Sequence, residues 1–127
     1  MMSDLRTPLR NARGLGSAKD GVNHWIVQRT TAIALVPLVI WFVASMVAYA
    51  GADYDTMIAY LKTPLVSILM ALFVIAAFHH MRLGLQVVIE DYIVKEGTRV
   101  ALLLLISFAV YGTGAAAIFS ILKISLS

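Results

Sequence analysis

The sequence contains no cysteine and few charged residues. None of its 127 residues is Cys, and Asp, Glu, Lys and Arg together make up 13% of the chain. The lack of thiols excludes disulfides, thiolate catalysis, iron–sulfur ligation and most structural zinc sites. A soluble domain carries about 25% charged residues, so this chain has too little polar surface to face water on all sides.

Apolar residues make up most of the remainder. They account for 61% of the chain, and the mean hydropathy is +0.87, whereas a soluble domain is about 45–50% apolar. We therefore expect one compact unit that lies in a lipid bilayer. The net charge of +3 does not indicate nucleic-acid binding, because the basic residues stand at the ends of apolar runs rather than along one face.

Three long apolar runs predict an all-α protein with three transmembrane helices. About 20 apolar residues of helix cross a bilayer core of roughly 30 Å, and the predicted spans are approximately residues 30–50, 64–89 and 100–122. Pro64 suits the first turn of the second helix. Pro37 is tolerated inside the first, because a neighbouring helix can satisfy the carbonyl that it frees.

Residues 1–29 precede the first span and are predicted to form an extended arm at the membrane surface. Gly14 and Gly21 disfavour regular structure there. A cleaved signal peptide and a transit peptide are the competing interpretations. The uncharged run of residues 30–50 is longer than the ~7–15 residues of a signal sequence's apolar region, and Asp4 is atypical of a transit peptide. We therefore expect an uncleaved N-terminus.

Lys and Arg are distributed unevenly over the connecting segments. The N-terminal arm has five, namely Arg6, Arg10, Arg13, Lys19 and Arg29, and the stretch around the second connection has three, namely Arg82, Lys95 and Arg99. The first connection has only Lys62, and the C-terminal tail has only Lys123. The positive-inside rule then predicts that the N-terminus and the second connection lie on the cytoplasmic or matrix side.

A pair of histidines lies inside the second predicted span. His80 precedes Asp91 by eleven residues, or roughly 16 Å of helix, so it lies about half-way through the bilayer core if Asp91 marks the interface. Ionisable groups at this depth are rare and usually functional. One stable arrangement of a neutral imidazole there has Nε2 on a metal and Nδ1–H on a carbonyl. Without cysteine, haem iron is the metal most consistent with one buried histidine.

The alternative is a structural histidine that only hydrogen-bonds across helices. His79 and His80 stand about 100° apart around a helix, so they cannot both face one site. Arg82 is the only charged residue close to them in sequence, and its long stem allows it to extend towards the headgroups. The residues by themselves leave both interpretations of His80 open.

Polar residues also mark the predicted cytoplasmic ends of the first two spans. Asp91 and Tyr92 are either a plain helix exit with a tyrosine in the aromatic belt or a quinone-binding pair. In the second case the phenol donates a hydrogen bond to a quinone carbonyl, and the carboxylate tunes or relays the proton. His24 and Arg29 precede the first span on the same side, as interfacial residues or as partners of anionic haem propionates.

Taken together, these motifs resemble the small hydrophobic membrane-anchor subunit of succinate dehydrogenase, respiratory complex II. The resemblance covers nearly the whole chain, with three spans and an N-terminus on the cytoplasmic or matrix side. It rests on the block of residues 21–33, on His80 followed by Gly84, and above all on the spacing from His80 to Asp91-Tyr92.

The resemblance implies a haem b and a ubiquinone site, each shared with other subunits. His80 would be one axial ligand of the haem iron, and a second, cytochrome b556-type anchor subunit would supply the other. Arg29 would lie near the haem propionates, with His24 on the same side. Tyr92 would hydrogen-bond ubiquinone, and Asp91 would lie beside that site. The family pattern implies no role for His79.

The resemblance also implies partners and a location. A flavoprotein subunit that oxidises succinate and an iron–sulfur subunit would dock on the cytoplasmic face, so the chain would take part in catalysis only within the complex. The expected location is a bacterial inner membrane, which an uncleaved N-terminus favours over a mitochondrial one.

Three other functions compete with this interpretation. The first is the haem-free anchor of a quinol:fumarate reductase, in which His80 is a spectator. The second is a small transporter subunit with a histidine proton relay, which predicts acidic residues within the spans; none occurs in residues 30–50 or 100–122. The third is a structural assembly factor, in which Tyr92 has no part in quinone reduction.

Overall fold

The computed structural model describes residues 19–127 and the isolated Pro8, with side chains from residue 21 onwards within the long range. Four helices fill most of this range, and no strand occurs in it. The prediction of an all-α protein is therefore confirmed. The helices are α1 (Lys19–Ala48), α2 (Tyr54–Lys62), α3 (Pro64–Tyr92) and α4 (Glu96–Leu126).

Helices α1, α3 and α4 are long and apolar enough to cross a membrane. Their candidate spans are Gly21–Ala48, Pro64–Tyr92 and Glu96–Leu126, of 28, 29 and 31 residues. At 1.5 Å per residue each exceeds a hydrocarbon core of roughly 30 Å, so each helix tilts or extends beyond it. The predicted number of membrane-spanning helices is confirmed.

Helix α1 begins earlier than the sequence predicts. It starts at Lys19, so residues 19–29 are helical rather than extended, and Gly21 lies inside the helix. Nucleation is the costly step in helix formation. A helix formed by the apolar span therefore extends through a single glycine, which costs only about 1 kcal/mol. The rest of the predicted arm lies outside the described residues, apart from Pro8.

The first connection contains a short helix. The Oδ1 atom of Asp53 accepts a hydrogen bond from the N–H of Thr56 at 2.9 Å, which caps α2. Hydrogen bonds from Thr56, first from its side chain and then from its backbone, lower the pKa of Asp53. Helix α2 ends at Lys62, and Thr63 is extended, as residues before proline usually are. Pro64 then begins α3.

Helix α3 is the central element. It packs against α1 and α4, whereas no Cα atoms of α1 and α4 lie within 8 Å of each other in the described helices. Between α1 and α3, Phe42 and Phe73 stack with their ring centroids 4.7 Å apart. Most apolar side chains are exposed, as expected for helices surrounded by lipid or by another subunit. The buried apolar residues are Val66, Leu83, Ile89 and Val110.

Candidate functional site

His80 lies where α3 meets α1. Its half-buried ring has Nδ1 3.1 Å from Oγ1 of Thr31. The same hydroxyl lies 2.9 Å from the carbonyl oxygen of Val27 and 3.0 Å from that of Gln28. A hydroxyl group has one hydrogen. When that hydrogen is directed at a carbonyl of its own helix, the oxygen of Thr31 accepts a hydrogen bond from Nδ1–H of His80; with the other tautomer of His80, Thr31 donates to Nδ1.

The direction of this hydrogen bond is tied to the tautomer of His80. In a neutral imidazole one nitrogen donates and the other carries a lone pair, so Nε2 holds the lone pair when Nδ1–H donates to Thr31. Nε2 is the nitrogen that ligates a metal when a protein oxygen holds Nδ1–H. The cross-helix hydrogen bond of the structural alternative is thus present, and in this tautomer it leaves Nε2 free.

His79 faces the other side of α3. It lines a groove of about 170 Å³ between α3 and α4, together with Phe78, Tyr111 and Gly114. The 100° between neighbouring helical residues therefore separates the two histidines onto different helix interfaces. A site between α1 and α3 uses His80 and not His79.

Arg82 also turns towards α4. Its Nε donates a hydrogen bond to Oγ of Ser107 at 3.3 Å, and its guanidinium lies 5.5 Å from the ring centroid of Tyr111. These partners are roughly 16 and 22 Å along α4 from Glu96. The long stem of Arg82 would allow it to extend towards the Tyr92 end of α3, but the side chain does not do so. A hydroxyl and an aromatic face solvate the cation within the protein instead.

Polar side chains continue from Thr31 along one face of α1. His24, Gln28 and Thr31 are spaced four and three residues apart and therefore share a face; with His80 we call them the polar seam. A Cβ atom at Gly84 would lie 3.9 Å from Nε2 of Gln28, so this glutamine packs over the glycine of α3.

Two atoms of the polar seam are enclosed without a partner. Nε2 of His24 and Oε1 of Gln28 have no hydrogen-bond partner among the described residues. An unpartnered buried polar atom costs about 1–3 kcal/mol. The polar seam is therefore suited to bind a polar group that belongs to a molecule or residue outside the described part of the chain.

Arg29 lies beside the polar seam rather than in it. Its guanidinium is 5.4 Å from the ring centroid of Trp25, one turn earlier on α1, and both side chains are exposed. This cation–π contact keeps a positive charge near the His24 end of the seam. The position is compatible with a role towards an anionic group there.

Asp91 and Tyr92 form the last turn of α3. The helix is continuous from His80 to Tyr92, so Asp91 lies roughly 16 Å along the axis from His80 and within about 20° of the same direction. Asp91 is exposed, and Tyr92 is 79% exposed. The described residues cover little of either side chain, so a ligand at this position needs walls from elsewhere.

Sequence reasoning missed Thr31 and Gln28. Both are common polar residues in a stretch predicted as arm and span entry, where neither attracts attention alone. Their spacing from His24, four and seven residues, is the signal that marks them as members of one helix face. That signal becomes visible only when α1 is extended back beyond Thr30.

Known proteins share most of this sequence. The family profile described as succinate dehydrogenase/fumarate reductase transmembrane subunit matches residues 3–116, a range that includes the polar seam, Asp91 and Tyr92. The chain is similar to the succinate dehydrogenase hydrophobic membrane anchor subunit of Rickettsia bellii (strain RML369-C), with 42% identity over 93 residues, or 73% of this chain and 74% of the relative.

Two further relatives carry similar names. The succinate dehydrogenase hydrophobic membrane anchor subunit of Paracoccus denitrificans is 31% identical over 120 residues, which are 94% of this chain and 92% of the relative. The succinate dehydrogenase membrane anchor subunit of Reclinomonas americana is 31% identical over 91 residues, or 69% of this chain and 76% of the relative. The similarity therefore extends over most of each protein.

Proposed function

The chain belongs to the succinate dehydrogenase/fumarate reductase transmembrane subunit family, and from this membership we propose that it anchors a succinate:ubiquinone oxidoreductase. In that complex it shares a haem b with a second, cytochrome b556-type anchor subunit and forms part of the ubiquinone-reduction site. The names of the three relatives favour succinate oxidation over fumarate reduction. The flavoprotein and iron–sulfur subunits carry the succinate chemistry.

The observation that carries the haem proposal is the hydrogen bond between His80 and Thr31. With Nδ1–H of the imidazole donating to Thr31, the lone pair of Nε2 would be free to ligate the haem iron. No group of three or more His, Asp or Glu side chains suited to a metal ion occurs in the described part of the chain. A single imidazole fits haem, because the porphyrin itself holds the iron and the second anchor subunit would supply the other protein ligand. When bound, the haem supplies a one-electron redox centre.

The polar seam and Arg29 fit the propionate side of the same haem. His24 lies seven residues from Thr31, or about 10 Å along α1, on the side of the predicted cytoplasmic end. Its enclosed Nε2 is suited to donate a hydrogen bond to a propionate oxygen, and Gln28 holds an amide one turn away. The guanidinium of Arg29 adds a positive charge beside them.

Asp91 and Tyr92 are suited to quinone binding at the end of α3. Reduction of a quinone to a quinol takes up two electrons and two protons. The exposed phenol of Tyr92 donates a hydrogen bond to a quinone carbonyl and favours the build-up of negative charge there. The carboxylate of Asp91 lies one residue away at the water-exposed end of α3, where it can take a proton from water and pass it to the quinone.

The proposed location is the inner membrane of a bacterium, with the N-terminus and the Lys95 connection in the cytoplasm. Three membrane-length helices support a multi-pass membrane protein, and the relatives from Rickettsia and Paracoccus support a bacterial one. The excess of Lys and Arg on the N-terminal arm and the second connection supports the orientation.

The adjacent histidines provide a matched test of the haem proposal. The complete complex is purified with wild-type, His80→Ala and His79→Ala chains, and reduced-minus-oxidised absorption spectra are recorded. We expect a low-spin b-type spectrum that is lost or converted to high spin in His80→Ala and retained in His79→Ala. A wild-type complex without haem would instead identify the chain as a haem-free anchor, and equal spectra for both variants would remove His80 as the ligand.

A further inference from the structure

The basic residues at the end of the molecule opposite Tyr92 meet in one groove. Lys62 and Lys123 are the basic residues at that end among residues 21–127. Lys62 lies in the last turn of α2 and Lys123 in the last turn of α4. Both line a groove of about 470 Å³ between these two helices.

Lysine in the last turn of a helix is common, because the helix dipole favours a cation there. Two features of this groove go beyond that explanation. Both lysines converge on the same concave surface, where their like charges repel each other. Three residues with a hydroxyl group join them in the lining, namely Tyr54, Ser120 and Ser127, of which Ser120 and Ser127 donate to the carbonyls of Ala116 and Ile124.

No acidic side chain lines the groove. Asp55 is on the same short helix, but it is not among the lining residues. Both ammonium groups are on exposed side chains, and within the described range neither has an Asp or Glu oxygen within 4.0 Å. The groove thus combines two ammonium groups that have no Asp or Glu partner in the described range with the phenol of Tyr54 as a hydrogen-bond donor, which is chemistry suited to a phosphate group.

The surroundings of the groove are those of a membrane boundary. Ile58 and Ile124 complete its wall. On the neighbouring turns of α4, Phe119 is 67% exposed and Leu126 is 83% exposed, so the apolar surface of the helix continues along the bilayer from the cationic end. Lysines at such positions extend to the headgroup level.

We propose that this groove binds the headgroup of an anionic phospholipid from the leaflet opposite the haem and quinone end. The ammonium groups of Lys62 and Lys123 bind the phosphodiester, the hydroxyl of Tyr54 donates a hydrogen bond to one of its oxygens, and the acyl chains lie along α4. The lipid thereby ties α2 to the end of α4. The proposal depends on the chain spanning a membrane and does not depend on the haem or quinone assignments.

The test measures lipid retention by the complete complex. Wild-type, K62Q, K123Q and K62Q/K123Q complexes are exchanged into mixed micelles of detergent and phosphatidylcholine with increasing phosphatidylglycerol. Native mass spectrometry then counts the phosphatidylglycerol molecules that remain bound. A lysine near an anionic headgroup contributes about a fivefold gain in binding, so we expect roughly fivefold weaker binding in each single variant and about 25-fold in the double.

Matched variants separate this site from general charge effects. K95Q removes one positive charge at the other end of the molecule and should leave the retained phosphatidylglycerol unchanged. K62R/K123R should retain it, because the charges are kept. Circular dichroism and subunit content are compared to confirm that every variant is folded and assembled.

Three outcomes would overturn the proposal. The first is undiminished phosphatidylglycerol in K62Q/K123Q, and the second is equal retention of phosphatidylcholine by the wild type. The third is displacement of the lipid by millimolar inorganic phosphate, which would assign the groove to a free anion. Loss of haem or of quinone reduction in other variants has no bearing on any of these readouts.

Discussion

The contact with Thr31 bears on which nitrogen of His80 is free. Its hydroxyl lies within hydrogen-bond distance of the carbonyls of Val27 and Gln28, and when it donates to one of them, its oxygen accepts from Nδ1–H of His80 and leaves Nε2 free. A metal-bound histidine generally needs such a partner on its second nitrogen. In the haem proposal, a side-chain hydroxyl of a neighbouring helix takes the role that a backbone carbonyl was expected to fill.

Replacing Thr31 with valine tests this role. Valine has nearly the same shape and no acceptor, so Nδ1–H of His80 loses its partner. Loss of such a partner typically weakens metal binding 10–100-fold, and we expect a comparable fall in haem affinity, together with a changed midpoint potential. The measurements are haem content and a redox titration of the purified complex. Thr31→Ser keeps the hydroxyl and should behave as the wild type; equal haem content and potential in Thr31→Val would contradict the assignment.

Tyr92 can be tested without altering the ring. In Tyr92→Phe the donor to the quinone carbonyl is removed while the apolar surface is kept, and we expect succinate-dependent quinone reduction to fall by about tenfold. Succinate oxidation by an artificial soluble acceptor should be unchanged, because that reaction does not use the anchor. Tyr111→Phe, on α4, is the matched control. Unchanged quinone turnover in Tyr92→Phe would favour a structural assembly role.

At the scale of helices, α3 organises the molecule because it packs against α1 and α4, whereas no Cα atoms of α1 and α4 approach within 8 Å in the described part of the chain. Each side of α3 therefore forms its own interface. The side towards α1 carries His80 and Gly84, and the side towards α4 carries His79 and Arg82. This arrangement leaves extensive apolar surface exposed, which suits a chain that packs against another membrane subunit.

Helix α2 is attached to α1 through one tyrosine. The hydroxyl of Tyr60 lies 2.6 Å from Oγ of Ser45, which is 6% exposed. The ring of Tyr60 stacks on Tyr49 with centroids 4.2 Å apart. The hydrogen bond and the stack together hold the short helix against the end of α1.

Tyr60→Phe separates these two contributions, because it removes the hydrogen bond and keeps the stack. A net hydrogen bond contributes about 0.5–1.5 kcal/mol, and we expect the free energy of unfolding to decrease by about 1 kcal/mol in a denaturing-detergent titration. Tyr54→Phe should have little effect, because that tyrosine is 77% exposed. In a double-mutant cycle with Ser45→Ala, additive losses would show that the two hydroxyls do not interact.

At the scale of the whole molecule, the distribution of Lys and Arg predicts the orientation in the membrane. The chain has no cysteine, so a single introduced thiol reports its own side without removal of others. Ala52 and Thr98 are exposed positions in or next to the first and second connections. With the predicted orientation, these two positions lie on opposite sides.

We expect Ala52→Cys to react with a membrane-impermeant maleimide in intact cells, and Thr98→Cys to react only after permeabilisation. The labelled chain is separated from larger cysteine-containing proteins by gel electrophoresis. The reverse labelling pattern would place the N-terminus and the Tyr92 end of α3 outside the cytoplasm. The prediction that the iron–sulfur subunit docks on the cytoplasmic face would then be wrong.

Sequence reasoning succeeded where one helix sets the geometry. The all-α class and the number of membrane-length helices are confirmed because apolar runs of that length are stable as helices in lipid. The predicted start of α1 was too late, because the local glycine content was given more weight than the tendency of a formed helix to extend. The short helix α2 was missed, although the Asp53 to Thr56 cap is a local signal for it. The roles of His80, His24, Arg29, Asp91 and Tyr92 stay predictions.

The sequence by itself determined the number of spans and the distance of His80 from Asp91, because both follow from composition and from the constant rise of a helix. Only the tertiary structure decided that His80 faces Thr31 while His79 faces α4, and that Lys62 and Lys123 share a groove. These facts depend on how each helix is rotated about its axis and on the register between helices. Both are set by the packing of side chains that are distant in the chain.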